Sequence, residues 1–384
     1  MTEAPGSTGA NLRLARQARG FSQQQLASMA GVSRQAVSAV ESGHSDPSLR
    51  VALAIAQALS LSVEELFGPG QPAAPVLATS VTPVTAASMR VILASVGERF
   101  VALPLRGDIG TGLGFLPAGG LTVPGAGAIM ARTAGDTAYT NGADANGGPA
   151  ATDSIAVRPI SPPRPTLVVA GCDPALPLLA TPLSLLDPPV SFAWWPCGSA
   201  EALRLAQAGL VHAAGMHTQD GNGTPLPDGA QVVGFTAWRE GLTIRPDLKS
   251  TVTGLYSVAR HRLRIVNREP GAEARRLLDA EREHLGLDGA ELPGYGTQAA
   301  GHLQVASAVA AGLADVGMAS EPAARAYGLA FVPMAEERFN LVIPAMQAAS
   351  REIQALFKVL TSPWLLAQLA SLPGYDATTC GDRL

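Results

Sequence analysis

The chain has 384 residues, too many for one small core, and its 47% hydrophobic and 15% charged content suits a multidomain globular protein with a large interior. A net charge of −4 and a pI near 5.9 exclude a global basic field, so any contact with nucleic acid has to be local, and nothing recommends a membrane surface. Three cysteines (Cys172, Cys197, Cys380) make no disulfide framework, no stretch is long and apolar enough to span a bilayer, and Met1–Ala10 lacks the basic and apolar regions of a secretion signal, so the expected location is the cytoplasm.

The first 68 residues read as helices over Asn11–Arg19, Ser22–Ala30, Ser33–Ser42 and Ser48–Leu59, with a stub at Val63–Leu66. Ser22 with Gln25 three residues on is a capping box, and Ser33 and Ser48 are N-caps. Gly31 follows the second helix and only Val32 separates it from the next cap, so the two helices cross steeply. Leu26, Ala27, Ala30, Val32, Val37 and Val40, joined by Leu53, Ile55, Ala56 and Leu59, form the expected inner face. Arg34, Gln35, Ser38 and Ala39 are left on the outer face of the third helix, where Arg suits guanine and Gln suits adenine in the major groove. Gln23 and Gln24 stand where a helix N-terminus meets a phosphate. The expected DNA-facing set is Gln23, Gln24, Ser33, Arg34, Gln35 and Ser38.

These residues resemble the XRE-type, lambda-repressor-like helix-turn-helix family, through Arg16, Gly20-Phe21-Ser22-Gln23, Leu26-Ala27, Gly31-Val32-Ser33, Val37-Ser38, Glu41-Ser42-Gly43 and Leu53 to Leu66-Phe67. The resemblance implies that Gln23, Arg34, Gln35 and Ser38 touch operator DNA and that Arg16 and Glu41 form an internal ion pair. Five arginines (Arg13, Arg16, Arg19, Arg34, Arg50) balance five acids (Glu3, Glu41, Asp46, Glu64, Glu65) in this segment. A neutral domain has little sequence-independent grip on DNA, so tight binding needs dimerisation or many specific contacts, and a homodimer on two-fold-related half-sites is the expected default.

Residues 69–88, rich in Pro, Gly, Ala and Thr, read as a linker. Arg90–Ala94 and Arg99–Leu103 read as a hairpin around Ser95–Glu98, the start of a small β-rich module over 89–160 with long loops, disordered in part around Asn141–Thr152. From 161 to 384 the pattern changes to α/β. Strands are expected at Thr166–Ala170, Val190–Trp195, Leu210–Ala214, Arg264–Val266, Ala314–Met318, Ala330–Val332 and Asn340–Pro344, alternating with helices that include Ser199–Ala208, Ala272–His284, His302–Ala311 and Glu321–Tyr327. Such alternation predicts a parallel sheet.

Ligands bind beyond the carboxyl ends of such strands. The loops there are Gly171-Cys172-Asp173-Pro174, Pro196-Cys197-Gly198-Ser199, Gly215-Met216-His217, Asn267-Arg268-Glu269-Pro270-Gly271 and Gly301-His302, split between two α/β blocks that would face each other across a cleft. The expected ligand-binding set is Cys172, Asp173, Gly198, Ser199, His217, Arg268 and His302. Cys172 and Cys197 follow neighbouring strands, so with His217 they suggest, as an alternative, soft-metal or redox sensing. No metal-finger spacing, P-loop, dinucleotide fingerprint or Gly-x-Ser-x-Gly occurs, and neither a cofactor nor catalysis is expected; an enzyme acting on a pterin-like or other anionic metabolite is the rival.

Residues 165–384 resemble the periplasmic-binding-protein-like domain related to molybdate-binding proteins, through Ala170–Leu176, Gly198-Ser199, Gly215-Met216-His217, Asn267-Arg268, Gly312–Gly317 and Leu372–Asp376. The resemblance implies a type II two-lobed fold that closes on a small, often anionic ligand such as molybdate or tungstate. Where that family often has Gly-Ser-Gly-Thr, this chain has Gly271-Ala272-Glu273-Ala274, and a carboxylate in the first helical turn repels an oxyanion. The reading as a whole is a multidomain, cytoplasmic, ligand-responsive transcriptional regulator.

Overall fold

A computed structural model describes residues 8–67, 73–84, 88–107, 115–124, 154–217 and 226–384. Two compact units, Met1–Ala74 and Pro75–Leu384, make up the chain. Asn141–Thr152, where partial disorder is expected, lies outside the described residues.

In the first unit five helices run α1 (Thr8–Ala18), α2 (Gln23–Ala30), α3 (Arg34–Glu41), α4 (Leu49–Leu59) and α5 (Val63–Phe67). The caps are those the sequence expects. Ser22 Oγ accepts from Gln25 N while Gln25 Oε1 accepts from Ser22 N, and Ser33 and Ser48 cap α3 and α4 through Ala36 N and Val51 N. Gly31 closes α2 at φ +63°, a left-handed conformation that costs glycine nothing. Leu12, Leu26, Val37, Ile55 and Leu59 are fully buried, but Leu53 is 52% exposed and does not join the core as expected. Ala52, Ile55, Ala56 and Leu59 carry the i, i+3, i+4, i+7 stripe of α4, and Leu53 lies one residue, about 100°, round from it.

The second unit begins with a closed five-stranded barrel in the order β1 (Val76–Ser80), β3 (Arg99–Pro104), β2 (Arg90–Val96), β4 (Gly120–Thr122), β5 (Ser154–Pro159). The expected hairpin is present, with Val96 opposite Arg99 and Gly97 at φ +59° in its two-residue turn. One correction concerns the linker. Val76–Ser80 pairs with β5 and β3 and closes the barrel, a partnership across some 80 residues that no local pattern reveals. Nor does the barrel stand apart from the rest of the unit, because Val81, Ala94, Val96, Val101 and Leu103 share a core with Val168, Ala170, Trp195 and Leu203.

C-terminal to the barrel lies an eight-stranded sheet, ordered β11 (Gln298–Ala299), β10 (Ile265–Arg268), β12 (Val316–Ser320), β9 (Gln231–Ile244), β13 (Ala330–Ile343), β8 (Ala213–His217), β6 (Thr166–Ala170), β7 (Ser191–Trp195). The helices among its strands are α6 (Ala180–Ser184), α7 (Ser199–Gln207), α8 (Leu255–Arg260), α9 (Glu273–His284), α10 (His302–Ala310) and α11 (Glu321–Ala326), and α12 (Arg351–Leu360) and α13 (Pro363–Ala370) come after the last strand. The sheet is mixed, which corrects the expectation of a parallel one. β6, β7 and β8 are parallel, as are β10, β11 and β12, but β9 and β13 run antiparallel through the middle for 14 residues each. The C-terminal half of β9 pairs with β12, and the C-terminal half of β13 with β8. Two lobes therefore share one pair of continuous strands, the geometry of a hinge. The two expected strands Ala330–Val332 and Asn340–Pro344 are the ends of β13, and the apparently irregular segment before Arg264 contains β9.

Candidate functional site

In the helical unit Arg34 and Gln35 are exposed on the first turn of α3, and Gln24 is exposed on α2. Ser38 is half-buried one turn further along α3, and the Ser33 hydroxyl is held by its cap bond. Gln23 is not free for a phosphate in this conformation, because its amide donates to Glu41 Oε2 at 2.9 Å. That carboxylate, 1% exposed, also receives Arg16 Nε at 2.6 Å and Arg16 Nη2 at 3.0 Å. The ion pair implied by the resemblance thus sits behind α3 and fixes it against α1.

In the second unit the loops at the strand ends converge as expected. Cys172 follows β6 and His217 ends β8 in one lobe; Arg268 ends β10 and His302 opens α10 in the other. All four are at least nine-tenths buried. Cys172 Sγ lies 3.2 Å from His217 Nε2, and Nδ1 of the same ring lies 3.3 Å from Glu337 Oε2 on the hinge strand β13. Arg268 is held flat by a bidentate pair with Glu269, both bonds 2.8 Å, and its Nη1 lies 3.2 Å from His302 Nδ1. His302 Nδ1 also receives the Ser320 N–H at 3.2 Å, with Glu240 Oε1 of β9 3.6 Å away. Trp238, between the two rings, meets His217 and His302 edge-on at 5.5 and 5.9 Å and donates its indole N–H to Glu240 Oε2.

Burial sets the electrostatics. It drives the His217 pKa down, but Cys172 and Glu337 on its two nitrogens outweigh this and hold it well above the ordinary histidine value. His302 goes the other way, kept neutral by burial and by the charge of Arg268. Burial raises Glu240 to about 7 in spite of the Trp238 bond. Oε1 of Glu240, Oε1 of Glu337, Nε2 of His302 and Oγ of Ser320 are all buried without a hydrogen-bond partner among the described residues. Such groups call for a ligand or water.

The remaining expected site residues fall into structural roles or at the rim. Asp173, wholly buried, accepts from Thr236 Oγ1, Tyr375 Oη and Ala175 N, so it joins the first lobe to the hinge and to the chain end. Ser199, on the first turn of α7, accepts from His217 N at 3.3 Å; Gly198 caps that helix where an added Cβ would press on Gly271 O of the opposite lobe. A cleft of 450 Å³ opens beside them, lined by Ser199, Gly271, Glu273, Arg275 and Arg276 among others. Cys197 and Cys172 belong to different packing clusters. Cys197 packs with Val168 and Ala170, whereas Cys172 packs with Leu167 and Val169, the opposite face of the same strand, and burial pushes the Cys197 thiol pKa up. Sequence reading missed Thr236, Trp238, Glu240 and Glu337, since residues inside the central strands give no loop signal, and it passed over Ser320 although that residue lies at the junction of β12 and α11.

Comparison with known proteins agrees with this architecture. Residues 12–66 match the helix-turn-helix family and residues 180–361 the PBP superfamily domain. YgzD of Bacillus subtilis, an uncharacterised HTH-type transcriptional regulator, is 46% identical over 48 residues, 12% of this chain and 73% of that protein. The uncharacterised protein YvgK of the same organism is 31% identical over 143 residues, 37% of this chain and 46% of YvgK, so the chain spans less than half of that relative. Among solved structures the tungstate ABC transporter protein of Geobacter sulfurreducens is similar at 13% identity and a TM-score of 0.42, covering 53% of this chain and 97% of its own. The chain belongs to the XRE-like helix-turn-helix family and carries, C-terminal to that domain, a domain of the PBP superfamily.

Proposed function

We propose that this protein is a cytoplasmic, non-enzymatic transcriptional regulator that reads operator DNA with α3 and couples that binding to a small ligand taken up between the lobes of its second unit. The observation that carries the reading is the pairing of an outward Arg34 and Gln35 on a capped, buried-face helix with two hinge-joined lobes between which Glu240, Glu337, His302 and Ser320 hold buried polar atoms without hydrogen-bond partners among the described residues. Arg34 and Gln35 take the base-reading role, Gln24 the phosphate role with Gln23 released from Glu41, and Ser38 the edge of the interface; Ser33 serves as cap. A two-fold homodimer gives the neutral domain the contact number it needs.

The ligand calls for a narrower choice. Arg268, the one fully buried arginine among the described residues, is already neutralised by Glu269, while Asp173, Glu240 and Glu337 add carboxylates to the same interior. That composition favours a ligand that meets carboxylate, thiol and imidazole over a free molybdate-like oxyanion.

The test is operator binding. On a duplex selected from random sequence by the full chain, Arg34→Ala and Gln35→Ala are each expected to weaken binding by about 1–3 kcal/mol, roughly 5- to 150-fold, and to relax the preference at one base position. Variants that bind the selected duplex as wild type does would remove α3 from the DNA.

A further inference from the structure

We infer that Cys172, His217 and His302 form a binding site for a thiophilic cation of the Zn2+ or Cu+ class, and that this cation joins the two lobes. The inference rests on the proposed regulator reading and gives its ligand a chemical class. One donor atom from each of the three residues lies within 4.8 Å of the donor atoms of the other two, and all three residues are buried. A sulfur and two imidazole nitrogens are a borderline-soft donor set with a fourth position open, which suits zinc or copper(I) and not calcium or magnesium.

The surroundings supply what metal-bound histidines require. A ligating imidazole commonly gives its second N–H to a carboxylate, which fixes the ring and raises its basicity. His217 has Nε2 toward Cys172 and Nδ1 toward Glu337 at 3.3 Å. His302 has a buried, unpartnered Nε2, and Glu240 Oε1, also unpartnered, stands 3.6 Å from its Nδ1 beside the Arg268 and Ser320 donors. Here Nδ1 accepts the Ser320 N–H, which places the proton on Nε2. Taking up a cation at Nε2 sends that proton to Nδ1 on the Glu240 side, which requires the Arg268 Nη1 and Ser320 N–H contacts to Nδ1 to open, and releases the Cys172 proton to solvent. A thiol, imidazole and carboxylate in series also describes an activated nucleophile. The second histidine with its own glutamate is what that chemistry does not need and a cation does.

Geometry then gives the regulatory consequence. Cys172 and His217 belong to the lobe of β6 and β8, His302 to the lobe of β10 and β12, and both glutamates to the strands between them. A cation bound by all three exists only in the closed arrangement, so it favours that state over an open one.

The experiment uses the reduced, metal-free full chain. Expected results are one Zn2+ retained per chain and, with Co2+ as probe, a thiolate-to-cobalt charge-transfer band that disappears in Cys172→Ser and persists in Cys197→Ser. Glu337→Gln, which leaves every donor atom in place, is expected to weaken zinc binding about 10- to 100-fold. Because Cys172→Ser lies in a core, its unchanged circular dichroism is required, and His302→Gln provides an independent loss of binding. No retained zinc in the folded wild type, or a band that survives both substitutions, overturns the site. If zinc is refused while molybdate, tungstate or phosphate changes operator affinity, the cation is wrong and the regulator reading stands. Stoichiometric zinc in the wild type, lost in Cys172→Ser, with no change in operator affinity supports the site and removes its regulatory role.

Discussion

Arg16→Ala is expected to destabilise the helical unit by about 3–5 kcal/mol and to abolish operator binding without touching the side chains proposed to face DNA. Glu41 is 1% exposed, and Arg16 supplies two of its three hydrogen bonds while Arg16 Nη1 also ties down Phe21 O at 2.6 Å. Removing the guanidinium leaves a buried carboxylate with one neutral donor, Gln23. A domain of this size has only about 3–9 kcal/mol of stability in total, at roughly 0.05–0.15 kcal/mol per residue, so the loss empties much of the native state. All four tryptophans (Trp194, Trp195, Trp238, Trp364) lie beyond residue 74, so fluorescence does not report on this unit. Amide hydrogen exchange in α1–α3 is the measurement. Faster exchange confined to those helices, with the second unit unchanged, is the expected result; wild-type protection would show that the ion pair does not hold the unit together.

Asp173→Ala is the corresponding substitution in the second unit. It strands three donors, Thr236 Oγ1, Tyr375 Oη and Ala175 N, which stand 2.6, 2.7 and 2.8 Å from the carboxylate. Leaving a buried donor unsatisfied costs about 1–3 kcal/mol, and three of them about 3–6 kcal/mol once relaxation is allowed for. The hydrogen bonds cross from the first lobe to β9 and to the segment after α13, so the loss is also expected to loosen the hinge. Trp238, 5.9 Å from the Tyr375 ring, makes tryptophan fluorescence a local reporter in urea unfolding. A midpoint shifted down by a urea increment matching that loss is expected. An unchanged midpoint would mean that Asp173 is held for ligand contact alone.

From α2 to α4 the helix-turn-helix is legible in the sequence almost to the residue because the boundaries there have local chemistry, whereas α1, expected from Asn11, begins at Thr8. Ser22, Ser33 and Ser48 announce helix starts and Gly31 a stop, and the buried positions follow one helical period. The α/β unit is legible in its short parallel strands, such as Thr166–Ala170, whose five consecutive residues are all buried. Its central strands are not. β9 and β13 carry Arg239, Glu240, Pro333, Glu336 and Glu337 in mid-strand, where they leave one lobe's core and enter the other, and β13 is bulged near Pro333 and again near Phe339. Neither alternation nor a continuous apolar run survives such a crossing. For the same reason the strand-end residues Cys172, His217, Arg268 and His302 can be found from loop position, while Glu240 and Glu337, which sit behind the two histidines, cannot. Close packing at Gly215 belongs with these silent features, since a Cβ there would overlap the Phe339 ring beside His217.

Coupling between the two units is the central claim, and operator affinity measured on the full chain with and without added ligand tests it most directly. The duplex is the one selected by the protein, and the additions are Zn2+, phosphate, molybdate and tungstate, one at a time at fixed ionic strength. An affinity change of about fivefold or more with one of them, the lower range of ordinary coupling energies, is the result the account predicts. Equal affinity with every addition, together with demonstrated occupancy of the cleft by one of them, would contradict it, because a ligand that binds both states equally shifts nothing.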